Sequence, residues 1–145
     1  MDVVADLTAP CTAEELFRWV DDLGRYPQWL GIVERAEALP DQVDGRPAWQ
    51  VELRGRLGPL ARSKRLRMVR TVLSDDAVVF ERNEHDGRNH STWVLRADVA
   101  PTSDGSVLTM RLHYGGSLWG PVLERLLRDE IERSRTRLLD RVAGR

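Results

Sequence analysis

Residues 117–142 read SLWGPVLERLLRDEIERSRTRLLDRV, and the architecture turns on this stretch. Apolar side chains recur at Leu123, Leu127, Ile131, Leu138 and Val142, with small Ser134 completing the row. Steps of three and four put these positions on one stripe of a helix. Trp119 and Leu126 widen the stripe on one side, while Arg125, Asp129, Glu132, Arg133 and Arg135 fall on the opposite, solvated face. Gly120-Pro121 suits the helix start, because proline lacks only an N–H that the first turn leaves unpaired anyway. About 22 residues at ~1.5 Å each make a rod of roughly 33 Å. Such a helix cannot bury its stripe alone. It requires a surface of similar length, which the middle of the chain supplies.

Working outward from the helix, the preceding segments alternate in polarity and are separated by turn signals. Val107–Tyr114 places Leu108, Met110, Leu112 and Tyr114 together, and Asp104-Gly105 before it signals a hairpin. His90–Ala100 puts Ser91, Trp93, Leu95, Ala97 and Val99 on one face. Ala77–Glu84 is a further strand, closed by Asp86-Gly87. Arg62–Leu73 aligns Leu66, Met68 and Val72, and Ala48–Leu57 aligns Trp49, Val51, Leu53 and Leu57. Gly58-Pro59 turns the chain between these two. Ile32–Leu39 is another strand, followed by a polar loop containing Asp44-Gly45. Two short helices come earlier. Thr12-Ala-Glu-Glu15 is a capping box opening one that runs to about Val20, and Tyr26-Pro27-Gln28-Trp29-Leu30 forms the other. Residues 2–8, DVVADLT, read as the first strand.

The order is therefore strand, two short helices, six consecutive strands and one long helix. Short turns between consecutive strands favour an antiparallel meander. One face of that sheet is apolar and one charged, so the terminal helix covers the apolar face. A curved sheet wrapped around a helix encloses volume, the natural place for a ligand.

Length and composition narrow the options. At 145 residues the chain is expected to be one domain, residues 1–145, large enough for a core without metal or disulfide staples. The single Cys11 excludes an internal disulfide. A net charge of −1 gives no general field for nucleic acid, and no nucleic-acid partner is expected. No 18-residue apolar run marks a membrane span, and a strand begins directly after Met1-Asp2, so a cytoplasmic location is expected.

Several stretches resemble the START-like superfamily, whose helix-grip fold includes the birch-pollen allergen group and the polyketide cyclase/dehydrase and lipid-transport group. They are Ala9-Pro10 leading into a helix, Asp21-Asp22 through Tyr26-Pro27-x-Trp29, Asp44-Gly45-Arg46, Leu95–Pro101 into Asp104-Gly105-Ser106, and Arg137-Leu138-Leu139 in the closing helix. The resemblance spans nearly the whole chain and implies an α+β helix-grip fold with an internal, mainly apolar cavity. These motifs are architectural, and one fold hosts carriers, cyclases, hydrolases and chaperones.

Chemistry-bearing residues are sparse. No G-x-S-x-G occurs, and Cys11 sits at a helix entry as a structural thiol. His85, His90 and His113 lack metal-site spacing, so neither metal nor cofactor is expected. Arg54, Arg56, Arg62, Lys64, Arg65, Arg67 and Arg70 cluster on two adjacent strands. Arg54, Arg56, Arg65 and Arg67 share the outer parity, a solvated face or a patch for peripheral contact with an anionic membrane. Arg70 shares parity with the inward residues, and Glu130 lies beside the helix stripe on the side of Trp119 and Leu126. A buried charge requires a partner, so these two pair, meet a polar ligand group or reach solvent at a cavity mouth. Arg82 and Glu84 stand in the same position if their strand has that parity.

The expected ligand-contacting residues are Trp29, Trp49, Leu53, Met68, Arg70, Trp93, Leu95, Met110, Leu112, Tyr114, Trp119, Leu123, Leu127 and Glu130. The short helix at Tyr26, Pro27 and Trp29, with the Gly58-Pro59 loop, is expected to border the cavity mouth. Three functions remain open: binding or transport of a hydrophobic small molecule (lipid, polyketide-like or isoprenoid), a polyketide cyclase or aromatase, and a protein-interaction chaperone of the same fold. A purely apolar lining favours the carrier. An inward Arg/Glu or Arg/Tyr pair favours the enzyme, and a cavity filled by tryptophan favours the interaction module.

Overall fold

Seven antiparallel strands form one curled sheet, in the order β1-β7-β6-β5-β4-β3-β2. The computed structural model describes residues 1–40, 45–57, 60–116 and 120–144. The strands are β1 (Asp2–Ala9), β2 (Val33–Ala38), β3 (Ala48–Leu57), β4 (Leu60–Leu73), β5 (Ala77–Arg82), β6 (Trp93–Thr102) and β7 (Gly105–Tyr114). Helix α1 (Ala13–Phe17) and a 3₁₀ helix (Leu23–Gln28) separate β1 from β2, and α2 (Gly120–Val142) closes the chain. This is the α+β helix-grip architecture. The turn at Gly58-Pro59 and the Asp44 of the Asp44-Gly45 signal lie outside the described residues.

Local chemistry explains the element ends. Thr12 Oγ1 accepts from the Glu15 amide at 3.1 Å, and Glu14 and Glu15 sit at the positive end of α1. Asp22 accepts from the Gly24 amide at 2.8 Å and starts the 3₁₀ turn. Helix α1 ends at Phe17 rather than Val20, because the chain bends there to seat Val20 and Leu23 in the core. β6 begins at Trp93 rather than His90. The residues before it are held by side chains instead of a strand ladder: Arg82 Nη1 donates to the Ser91 carbonyl at 3.3 Å, and Asp86 accepts from the Arg88 amide at 3.0 Å. Likewise β5 stops at Arg82, and Glu84 Oε1 accepts from the Arg67 amide at 3.0 Å.

Helix α2 docks through the stripe visible in its sequence. Leu127, Ser134 and Leu138 are buried, and Ile131 and Val142 are partly buried against the core. Ser134 is small for a reason. Its Oγ accepts from the Gly31 amide at 3.3 Å and donates to the Glu130 carbonyl at 2.7 Å, tying helix to loop. Gly55 admits Leu126, whose Cδ2 would stand 2.7 Å from any Cβ at that position. At the other end a side chain at Gly105 would collide with the Ala9 carbonyl, so β7 begins in close contact with the end of β1.

Candidate functional site: an apolar cavity between sheet and helix

The inner sheet face and α2 do not meet everywhere. Between them lies a cavity with about 80 Å³ open to the centres of water molecules. The 3₁₀ helix and the loop after it contribute Leu23, Tyr26, Leu30 and Ile32 to its wall. The sheet contributes Val3, Val33, Val51, Leu53, Leu66, Met68, Trp93, Leu95, Met110 and Leu112, and α2 adds Leu127 and Ile131. The sheet residues alternate along their strands and pair across them: Val51 with Leu66, Leu95 with Leu112, and Val3 with Leu112. Period-two geometry therefore gathers them on one face.

Of the residues singled out from sequence, Leu53, Met68, Trp93, Leu95, Met110, Leu112 and Leu127 lie on this wall. Trp119 and the side chain of Leu123 lie outside the described residues. The remaining five sit elsewhere. Trp49 is buried edge-on against Phe80, ring centroids 5.5 Å apart, with the Arg70 guanidinium 5.7 Å from its own centroid. Arg70 Nη1 donates to the Asp21 carbonyl at 2.9 Å, so its charge serves the connection between α1 and the 3₁₀ helix. Trp29 donates through Nε1 to the Trp19 carbonyl at 2.9 Å. Tyr114 packs on Trp93 with centroids 5.0 Å apart. Glu130 pairs with Arg133 and lines a separate charged groove with Glu34, Arg54 and Asp129.

Leu23, Leu30, Ile32, Val3 and Val33 are wall residues that the sequence reading does not place there, and Tyr26, expected at the cavity mouth, is part of the wall itself. Strand parity is silent about the 3₁₀ turn, and the Tyr-Pro-x-Trp stretch is its only signal. Tyr26 is fully buried, and its hydroxyl donates to the Val20 carbonyl at 2.8 Å. Burial, with Asp21 and Asp22 nearby, pushes that hydroxyl's pKa up and keeps it protonated. The 3₁₀ helix is thus a pinned wall, with Trp29 buried behind it.

Charged groups stay outside the wall. Arg82 points inward by parity, opposite Met68, yet its Nε meets Glu84 at 3.0 Å and its Nη1 meets Ser91 Oγ at 3.2 Å. Lys64 has its pKa lowered by burial and then by Arg82, with Glu84 opposing. The basic cluster is largely engaged: Arg54 with Glu34, Arg65 with Glu52, and Arg67 with the Asn83 carbonyl. The side chains of Arg56 and Arg62 lie outside the described residues. His85 lies 3.4 Å from Arg67, His90 pairs with Asp86 at 2.8 Å, and His113 faces outward against Asp2 at 2.9 Å. Among the described residues no group of three potential ligands assembles for a metal ion, and no helix is long and apolar enough to cross a membrane. Among the described residues the wall carries no carboxylate, imidazole or ammonium group.

Solved structures share this fold. A protein from Thermus thermophilus superposes with a TM-score of 0.77 at 18% identity, covering 99% of this chain and 98% of that one. A START superfamily protein from Mycobacterium smegmatis gives 0.71 at 20% identity, covering 99% and 97%. The di-domain ARO/CYC StfQ from the steffimycin biosynthetic pathway gives 0.65 at 17% identity, covering 98% of this chain and 48% of its own. No curated protein sequence matches. Residues 1–145 match the family described as polyketide cyclase / dehydrase and lipid transport, and the chain belongs to that family.

Proposed function

We propose that this protein binds or carries a hydrophobic small molecule, of lipid, polyketide-like or isoprenoid character, in the cavity between sheet and α2. The observation that carries this reading is the composition of the wall, where every described residue is aliphatic, aromatic or methionine. Burying apolar ligand surface there gains about 25 cal/mol per Å². The cyclase reading lacks an acid or base on the wall, and the tryptophans other than Trp93 that are described pack away from the cavity. The resting space is small, with about 80 Å³ open to the centres of water molecules. A long ligand therefore requires α2 or the 3₁₀ helix to move outward, and a compact ring or branched fragment does not.

Native mass spectrometry of the purified protein tests this directly, with retained small molecules identified after organic extraction. Titration with toluene, followed by methyl resonances, provides a second route. Shifts at Leu53, Leu95 and Leu127 support the reading. Shifts confined to surface residues such as Val72 and Leu73 overturn it.

A further inference from the structure

The charged groove and the apolar cavity lie back to back on the same elements. The groove, with about 540 Å³ open to the centres of water molecules, is shared by α2, β2 and β3. Leu53 lines the cavity, and Gly55, the next residue on that face of β3, lines the groove. On α2, Leu127 and Ile131 line the cavity, and their neighbours Leu126 and Glu130 line the groove. Leu126 stands between the two spaces. It borders the groove, packs on the core behind it and rests on the bare backbone of Gly55. A Cβ at position 55 would lie 2.7 Å from Leu126 Cδ2, so the contact exists only because residue 55 has no side chain.

No polar bond holds this seam. Arg54 pairs with Glu34 from β3 to β2 at 3.5 Å, and Arg133 pairs with Glu130 within α2. Each pair stays on its own side of the groove, and among the described residues no hydrogen bond or ion pair joins α2 to β2 or β3. The polar anchors of α2 lie further along the helix. Ser134 accepts from the Gly31 amide at 3.3 Å, and Arg141 donates to the Gln28 carbonyl at 3.3 Å. Ser134 is about 12 Å along the helix axis from Leu126. Other borders of the cavity are bonded: the strands by their ladders, and the 3₁₀ helix by Tyr26 on the Val20 carbonyl and Trp29 on the Trp19 carbonyl. Opening the Leu126 contact costs apolar burial alone, whereas opening those borders leaves polar groups unpaired.

We infer that Leu126 is the latch of the cavity, and that a ligand passes between groove and cavity when this side chain leaves Gly55. This rests on the binding role proposed above and assigns its route: α2 gives way at β3 while the 3₁₀ helix stays pinned. Leu126 is not on the cavity wall, so a bound apolar molecule does not touch it. The contact is broken during passage and intact before and after. It therefore sets the rates of entry and exit and leaves the affinity unchanged.

Toluene exchange reads this out. The parent and Leu126→Ala are titrated with toluene, and dissociation rates come from exchange spectroscopy of the Leu53 and Leu95 methyls. Leu126 is partly buried, so about half the transfer value of three methylenes is at stake, and both rates are expected to rise roughly tenfold with the affinity within about twofold. A second variant fixes the seam. Leu126 Cγ lies 3.6 Å from a Cβ at position 55, close enough for Gly55→Cys combined with Leu126→Cys to be bridged by oxidation. The bridged protein is expected to lose exchange on this timescale, and reduction is expected to restore it. A bridged protein that exchanges as fast as its reduced form refutes the latch while cavity binding survives, and so does a Leu126→Ala protein whose rates match the parent's. If toluene does not bind the parent, the binding role falls and the latch with it. Should Leu126→Ala not fold, the bridged and reduced forms of the double variant decide alone.

Discussion

Leu127→Ala places a number on the docking of α2. Leu127 is 4% exposed and, among the described residues, is one of two from α2 on the cavity wall. The change removes three carbons, a transfer loss of about 2.4 kcal/mol at ~0.8 per buried methylene. In a fully packed site a new void adds to this, taking Leu→Ala costs toward ~5 kcal/mol. Here one flank of the side chain already faces empty space, so few further contacts are lost. The expected cost is therefore about 2–3 kcal/mol. Leu16 is the control, because it is completely buried and lies on none of the cavity walls described. Leu16→Ala should cost about 3–5 kcal/mol. Equilibrium urea unfolding, read by circular dichroism and tryptophan emission, gives both values if the slopes stay equal. A Leu127→Ala cost below ~1 kcal/mol would mean that α2 is not packed on the sheet. A cost equal to that of Leu16→Ala would mean that no void borders the side chain.

Three further outcomes are expected. Val51→Ile adds one methylene beside the cavity and should raise stability by about 0.8 kcal/mol while weakening toluene binding; thermal unfolding and the toluene titration check both. Tyr26→Phe removes the buried donor to the Val20 carbonyl and should cost about 1–3 kcal/mol in urea unfolding, since the acceptor stays buried. Asp86 has its pKa held below the usual 3.8, first by the Arg88 amide and then by His90. Its folded-state pKa is depressed, so its contribution to stability is present above pH 3.8 and is lost as pH falls through the folded value. Asp86→Asn should therefore lower the melting temperature at neutral pH, with the gap closing in acid; a gap that stays constant into strong acid would refute the assignment.

Periodicity carries most of the architecture into view. The α2 stripe and the β3 and β7 alternations follow from spacings of about 3.6 and 2, and short turns give the meander from β2 to β7, whereas the pairing of β1 with β7 has no signal in the pattern. Parity also separates inner from outer face, which is why Leu53, Met68, Leu95 and Leu112 reach the wall. Parity does not say whether an inward ring meets empty space or another ring. Trp49 lies on the inward face and still packs on Phe80, because β5 brings that ring in and fills this end of the interior. Charged residues are harder still. Arg70 and Arg82 both have inward parity, yet long flexible side chains reach back to a carbonyl and a carboxylate. On the outer face Arg67 is only 8% exposed, and its guanidinium bonds the Asn83 carbonyl just past the end of β5. No pattern in the sequence announces those partners, because they depend on where another strand ends. Glu130 is visibly off-axis on the helix, but its choice of Arg133 over the cavity depends on how α2 rolls against Gly31.

The pairing of β1 with β7 has a consequence for how the protein comes to exist. Asp2 sits opposite His113, and the amino terminus donates to the Tyr114 carbonyl at 2.9 Å. During synthesis the first strand is made long before its neighbour, and loop closure over such a separation is slow. The opposite edge, β2 with β3 and β4, has no such wait, as those strands follow one another directly. Val3, Leu112 and Leu127 are assembled together only after the stretch from Val3 to Leu127 has emerged. Under the proposed binding role, competence waits until Leu127 has emerged, and a hydrophobic molecule present at that moment would favour chains that have reached it over shorter ones by mass action.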